Sequence, residues 1–160
     1  MRKDANKIIE ARRKELGLSD MRLAHEMGIS IDSYCDIEWH GDEIYSVVQL
    51  QRIKKMCDVL RLALFDVLGM ECAFCGEKRD YSNDYQLPRH QLVKARRQKL
   101  GLTQAQLGDK ANFQDYAIEG MERNPDYLEL STIESILELA SQIDVPPQVL
   151  FRLKCLKCNR

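Results

Sequence analysis

Long apolar runs are missing from this chain. No stretch approaches the roughly 20 apolar residues needed to cross a bilayer. The sequence passes from Met1, Arg2, Lys3 and Asp4 straight into a charged helical pattern, without the apolar core of a secretory signal. No membrane association is expected, and a cytoplasmic location is. Charge of one sign is also missing: 24 Lys and Arg stand against 25 Asp and Glu, a net of -1, which lacks the basic excess usual in nucleic-acid binders. Residues 1–70 hold 11 basic and 12 acidic groups and residues 85–160 hold 11 and 9, so only the second half is slightly basic. His25, His40 and His90 stand apart. No Ser-His-Asp or Cys-His arrangement, Gly-rich phosphate loop or carboxylate cluster accompanies them, so no catalytic site is expected.

A hydrophobic content of 44% with 31% charged residues and few aromatics describes a soluble, helix-rich chain. Its 160 residues suffice for one ordinary domain or two small helical ones. An internal repeat decides for two. Residues 11–19, Ala-Arg-Arg-Lys-Glu-Leu-Gly-Leu-Ser, match residues 95–103, Ala-Arg-Arg-Gln-Lys-Leu-Gly-Leu-Thr, at six of nine positions and at an offset of 84.

Within each unit apolar residues recur at three- and four-residue spacing, the mark of short amphipathic helices around a shared core. The pattern predicts five helices per unit, at about 4–16, 19–27, 30–38, 46–60 and 63–69, then about 88–100, 103–111, 114–122, 129–142 and 146–153. Gly17 and Gly101 stand where a helix end takes a left-handed residue, and Ser19 and Thr103 where the next helix takes an N-cap oxygen. Pro146 and Pro147 suit the first turn of a last helix. The polar, turn-rich residues 76–87 read as a linker between a first domain at 1–75 and a second at 88–160.

These residues resemble the phage-repressor, Cro-like or XRE helix-turn-helix family. In the second unit Leu100-Gly-Leu-Thr-Gln-Ala-Gln-Leu107 fits that pattern, Asn112 takes the turn position usually held by Gly, and Met121-Glu-Arg123 resembles the family's helix end. In the first, Leu16-Gly-Leu-Ser19, Leu23-Ala24, Gly28-Ile-Ser30 and Ile37-Glu38 carry it, with Asp20 where the family has Gln. The resemblance covers nearly the whole chain. It implies an all-α fold of two tandem five-helix domains and a sequence-specific DNA-binding regulator of bacterial or phage type. Such domains also serve as protein-binding modules, so an immunity protein or antitoxin that neutralises a toxin is the alternative.

In DNA-binding members the third helix enters the major groove while the start of the second meets a phosphate. Carried over, Thr103 and Gln104 would bind phosphate and Gln106 and Gln114 would reach base edges, with Ser19, Ser30 and Ser33 as counterparts in the first unit. The first unit's third helix, however, carries Asp32 and Asp36 and no Lys or Arg, and carboxylates there repel phosphates. The basic clusters Arg12-Arg13-Lys14 and Lys94, Arg96, Arg97, Lys99 read as solvated helix faces or as tracks flanking a groove.

Cys72-Ala-Phe-Cys75 and Cys155-Leu-Lys-Cys158 each close a repeat. In a reducing compartment Cys-x-x-Cys pairs are metal ligands or redox groups rather than disulfides. Four thiolates make a closed tetrahedral site, so a structural Zn²⁺ that clamps the two domains is expected. Cys35 and Cys57 sit singly on apolar helix positions and read as core. Trp39 follows the first unit's third helix, near Tyr34 and Tyr45. Core packing is its simpler reading; if exposed, its acidic and aromatic surroundings suit a protein partner better than DNA.

Overall fold

A computed structural model of the chain describes residues 4–70, 72, 75 and 81–153. Among the described residues the regular structure is all helical, and no helix is long and apolar enough to cross a membrane. The chain divides into two compact units, Met1–Glu71 and Cys72–Arg160.

The first unit contains α1 (Ala5–Glu15), α2 (Asp20–Met27), α3 (Ile31–Trp39), a single turn α4 (Glu43–Ser46), α5 (Leu50–Leu60) and α6 (Leu64–Leu68). The second contains α7 (Ser82–Gln86), α8 (Arg89–Lys99), α9 (Gln104–Lys110), α10 (Asp115–Arg123), a 3₁₀ turn (Tyr127–Leu130), α11 (Ile133–Gln142) and α12 (Pro147–Phe151). Three details differ from the sequence reading. The predicted helix at 46–60 starts only at Leu50, after the separate turn α4 and an extended Gln49. Its counterpart at 129–142 starts only at Ile133, after the 3₁₀ turn. The predicted linker contains α7, whose Asp84 pairs with Arg96 of α8.

The repeat is closer in backbone than in sequence. The starts of α1, α2, α3 and α4 (Ala5, Asp20, Ile31 and Glu43) match those of α8, α9, α10 and the 3₁₀ turn (Arg89, Gln104, Asp115 and Tyr127) at the offset found in the sequence. The starts of α5 and α6 (Leu50 and Leu64) match those of α11 and α12 (Ile133 and Pro147) at an offset smaller by one. The second unit is therefore shorter by a single position just before α11. Each left-handed residue among those described has its counterpart at these offsets: Gly17 with Gly101, Gly28 with Asn112, Arg61 with Asp144, and Gly69 with Arg152. Such residues end helices by turning the chain so that orphan carbonyls find donors. Ile29 N–H accordingly donates to Ala24 C=O at 3.1 Å, and Phe113 N–H to Gly108 C=O at 2.8 Å.

The core is duplicated too. Leu23, Ile37, Ile44, Leu50, Ile53, Met56 and Leu60 are buried in the first unit, and Leu107, Met121, Leu128, Ile133, Ile136, Leu139 and Ile143 take their places in the second. Each such side chain removed from water stabilises its unit by roughly 1.5–3 kcal/mol. In the first unit α2 and α3 pack on each other, with α1 and α5 supporting them from behind; in the second α9 and α10 pair, with α8 against α10.

The left-handed ends make a direct test. Trp39 is the single Trp and lies in the first unit, so its fluorescence follows that unit's unfolding. Gly28→Ala, which forces a Cβ into the left-handed region, is expected to lower stability by about 1 kcal/mol. Arg61→Gly, which relieves the same strain, is expected to raise it by up to about 1 kcal/mol. Urea midpoints that move the other way would show that these residues are not what ends the helices.

Candidate functional site

In each unit an arginine on the first helix of the repeat ties the turn that follows it to the third helix. Arg13 donates from Nε to Glu38 Oε1 at 2.7 Å, from Nη2 to Glu38 Oε2 at 3.0 Å, and from Nη1 to the Leu18 carbonyl at 2.9 Å. Arg97, its counterpart in the second unit, does the same, to Glu122 Oε1 at 2.5 Å, Glu122 Oε2 at 3.0 Å and the Leu102 carbonyl at 2.8 Å. The planar guanidinium fork matches the carboxylate, so the pair sets orientation as well as energy. Both locks are largely shielded from water; the Glu122 side chain is only 4% exposed.

The two locks differ in their third partner. In the second unit Gln104 Nε2 donates to Glu122 Oε2 at 2.8 Å. In the first, Asp20 stands in that place and accepts from Arg13 Nη2 at 2.7 Å. The donor that Glu38 thereby lacks is supplied by the Tyr34 hydroxyl, where the second unit has Ile118. Burial alone would raise the carboxyls of Glu38 and Glu122, but hydrogen bonds from Arg13 and Tyr34, and from Arg97 and Gln104, outweigh it and hold both below the usual carboxylate range.

These locks account for residues that the sequence placed on the surface. Arg13 is buried and Arg97 nearly so. Arg12 donates to the Leu60 carbonyl at 3.0 Å and pairs with Glu15, Arg96 pairs with Asp84, and Lys14 pairs with Glu10. Neither a bare solvated face nor a phosphate track describes the arginines. Lys94 and Lys99 remain exposed on α8. The signal in the sequence was the repeated Arg and Glu themselves, at matched positions on first and third helices.

The residues expected to contact DNA fall at helix starts. Ser19 accepts from Arg22 N–H at 3.2 Å, Ser30 from Ser33 N–H at 3.1 Å, and Thr103 from Gln106 N–H at 3.1 Å, each as the N-cap of the helix it precedes. Ser33 Oγ lies 2.8 Å from Ser30 Oγ. Gln106 completes a capping box by accepting from Thr103 N–H at 2.9 Å. Gln114 precedes α10, is exposed, and accepts from the Tyr116 hydroxyl. Tyr116 is 69% exposed. The second unit thus brings Thr103, Gln104 and Gln106 to one helix end and presents Gln114 and Tyr116 at the start of the next.

The first unit offers different chemistry on its α3. Asp32, Asp36 and Trp39 are exposed at positions that share one side of the helix, and Trp39 is 73% exposed. Tyr34 and Tyr45 are buried and form no patch with it. Met21, 72% exposed, and Val47, 63% exposed, add apolar surface to this unit. Cys35 is half-buried rather than core. Burial pushes its thiol up, and the carboxylates of Asp20, Asp32, Glu38 and Asp36 push the same way. Cys57 is core, its thiol pushed up to about 12 by burial. Between α3, α4 and the start of α5 opens a pocket of about 300 Å³.

Of the expected metal ligands, Cys155 and Cys158 lie outside the described residues. Cys75 N–H donates to Cys72 C=O at 3.2 Å, which closes the Cys-x-x-Cys into a turn. The buried Gln148 of α12 places its side-chain N–H group 3.8 Å from Cys72 Sγ. Among the described residues no group of three or more metal-ligating side chains converges. Comparison of the chain with protein-family models, with curated proteins and with solved structures finds no match to any of them.

The Arg13–Glu38 lock makes a pH-dependent prediction. Glu38 has a lower pKa folded than unfolded, so its stabilisation is complete above the ordinary carboxylate range and is lost as pH falls through the folded value. Glu38→Gln is expected to destabilise the first unit by about 3 kcal/mol at neutral pH. The gap from wild type should close below about pH 4. A gap in the urea midpoint that stays constant across that range would show that the charge on Glu38 contributes nothing.

Proposed function

We propose that the chain is a DNA-binding transcriptional regulator of helix-turn-helix type, in which the second unit carries the contact with double-stranded DNA. The supporting observation is the Arg97–Glu122–Gln104 lock. It holds α9 and α10 together, with Thr103, Gln106 and Gln114 at the helix starts and Asp115 and Glu119 on α10 beside them. One amide proton of Gln104 is used by Glu122, which leaves its second proton to donate to a phosphate and its carbonyl to accept from a neighbouring donor. Gln114 at the start of α10 has the amide that pairs bidentately with adenine, and Tyr116 beside it supplies an exposed ring and hydroxyl. Lys94 and Lys99 provide cations for the backbone. The protein acts by binding, not by catalysis, and works in the cytoplasm.

A structural Zn²⁺ on Cys72, Cys75, Cys155 and Cys158 belongs to this reading. The turn closed by Cys75 N–H suits two thiolates facing one ion, and Gln148 gives Cys72 the kind of N–H donor that stabilises a ligating sulfur. The ion would clamp Cys72 and Cys75, which follow the first repeat, to the pair that closes the second. Its contribution is folding energy, since four thiolates leave no open position for chemistry.

A second reading is favoured by one observation, the exposure of Trp39 alongside Asp32 and Asp36. Such a face suits a basic protein partner, as in an immunity protein or antitoxin that covers a nucleic-acid-cleaving toxin.

Selection from random-sequence duplexes is expected to enrich a defined motif. Gln104→Ala and Gln114→Ala should each weaken binding by about 1–3 kcal/mol, and affinity should fall steeply with salt. No retention of duplex even at low salt would overturn the DNA reading. Elemental analysis of protein purified without chelators is expected to find one zinc per chain, and Gln148→Leu to lower zinc affinity by about 10–100-fold. A zinc content far below stoichiometric would remove the metal site.

A further inference from the structure

The two units close the same crevice differently. In the second, the Tyr127 ring lies on Gly120 so tightly that a Cβ at Gly120 would come within 2.7 Å of it. The counterparts in the first unit are Asp36 for Gly120 and Glu43 for Tyr127. An aromatic plug on a glycine has become two carboxylates, and the first unit has the open pocket of about 300 Å³ in that place. Ile29, Ile37 and Val48 give it apolar walls, and Ser33, Asp36 and Glu43 give it a polar rim.

Two carboxylates, Asp36 and Glu43, face a single cation in this pocket. Among the described residues neither Asp36 nor Glu43 joins an ion pair, and Asp32 lies one turn before Asp36 on α3. The cation in the lining is Arg52, whose Nε donates to Gln49 Oε1 at 3.3 Å and whose Nη1 donates to the Gly28 carbonyl. Trp39 follows Asp36 by about one turn, on the same side of α3, and Val47 is both exposed and part of the lining.

We propose that this pocket receives an arginine or lysine side chain of a protein partner, whose neighbouring apolar residues pack on Trp39 and Val47. Only a side chain with an apolar stem and a cationic head satisfies both the walls and the rim: the stem lies along Ile29, Ile37 and Val48, and the head meets the Asp36 and Glu43 carboxylates. An exposed Trp beside such a socket is the composition of an interface anchor. The surrounding carboxylates speed the approach of a basic partner and repel a phosphate backbone. The proposal deepens the second reading above and does not depend on DNA binding by the second unit.

Trp39, the single Trp of the chain, reports on the site directly. Titration of the full chain with a short amphipathic peptide of arginine and leucine is expected to shift Trp39 emission to the blue and to saturate at physiological salt. The same peptide with glutamate for arginine should leave the emission unchanged. Asp36→Asn/Glu43→Gln, which keeps shape and removes charge, should weaken the arginine peptide by about tenfold or more. Asp36→Gly/Glu43→Tyr, which transplants the second unit's plug, should abolish the shift. Equal affinity in the charge-neutral variant, an equal response to the glutamate peptide, or a blue shift that grows with protein concentration alone would each overturn the proposal, the last by naming a second copy as the occupant. Duplex binding, read separately by selection, fails or survives without changing these outcomes.

Discussion

The arginine–glutamate lock is the interaction on which both units depend. It joins three segments that hydrophobic packing alone would leave free to slide: the end of the first helix, the turn after it, and the end of the third helix. Burial is non-directional, so an apolar face on α3 or α10 could be satisfied at a range of angles. A bidentate carboxylate held to a guanidinium that also donates to a backbone carbonyl permits far fewer. Its position away from water makes it costly to break by removing one partner, since the other would be left buried and charged. The lock therefore fixes which residues of the third helix face outward, and through them what each unit can bind.

The duplication shows how one scaffold carries two chemistries. Around the lock, the second unit has Gln104 and Ile118 where the first has Asp20 and Tyr34. Each set satisfies its glutamate with two donors, a guanidinium and one neutral group, so the exchange preserves the geometry. The exchange also changes charge: Gln104 is a neutral amide, whereas Asp20 is a carboxylate paired with Arg13. At the crevice behind the third helix Gly120 and Tyr127 give way to Asp36 and Glu43, so a packed ring becomes an open acidic socket. Under the proposed function one unit would read duplex through hydrogen bonds and the other would take a cationic side chain, with the core almost unaltered.

The cysteines extend this logic to stability. A small helical unit has a small core, and the proposed metal would supplement it. The first Cys-x-x-Cys falls with the second unit and meets its last described helix through Gln148. Cys72 and α7 are thus held by the unit they precede, α7 through the Asp84–Arg96 pair.

The sequence by itself determined the helices and the repeat, because both are local signals. Apolar spacing, left-handed Gly17 and Gly28, and cap residues such as Ser19 and Thr103 act within a turn or two of themselves, and the helix ends fall within a few residues of where these signals place them. Asn112 was legible as a left-handed turn residue for the same reason. The start of α5 at Leu50 was not, since the apolar residues before it continue the helical spacing and only packing of α5 against α2 decides where it begins. Tertiary structure alone decided the fate of the charged and aromatic residues. Arg12-Arg13-Lys14 looks uniform along the chain, yet Arg13 is buried on the distant Glu38 while Lys14 is exposed. Trp39 reads as core by composition, but the end of α3 carries it past the last buried turn into solvent. An ion pair or a pocket is made by residues far apart in sequence, and no local pattern specifies which of several like side chains will meet its partner.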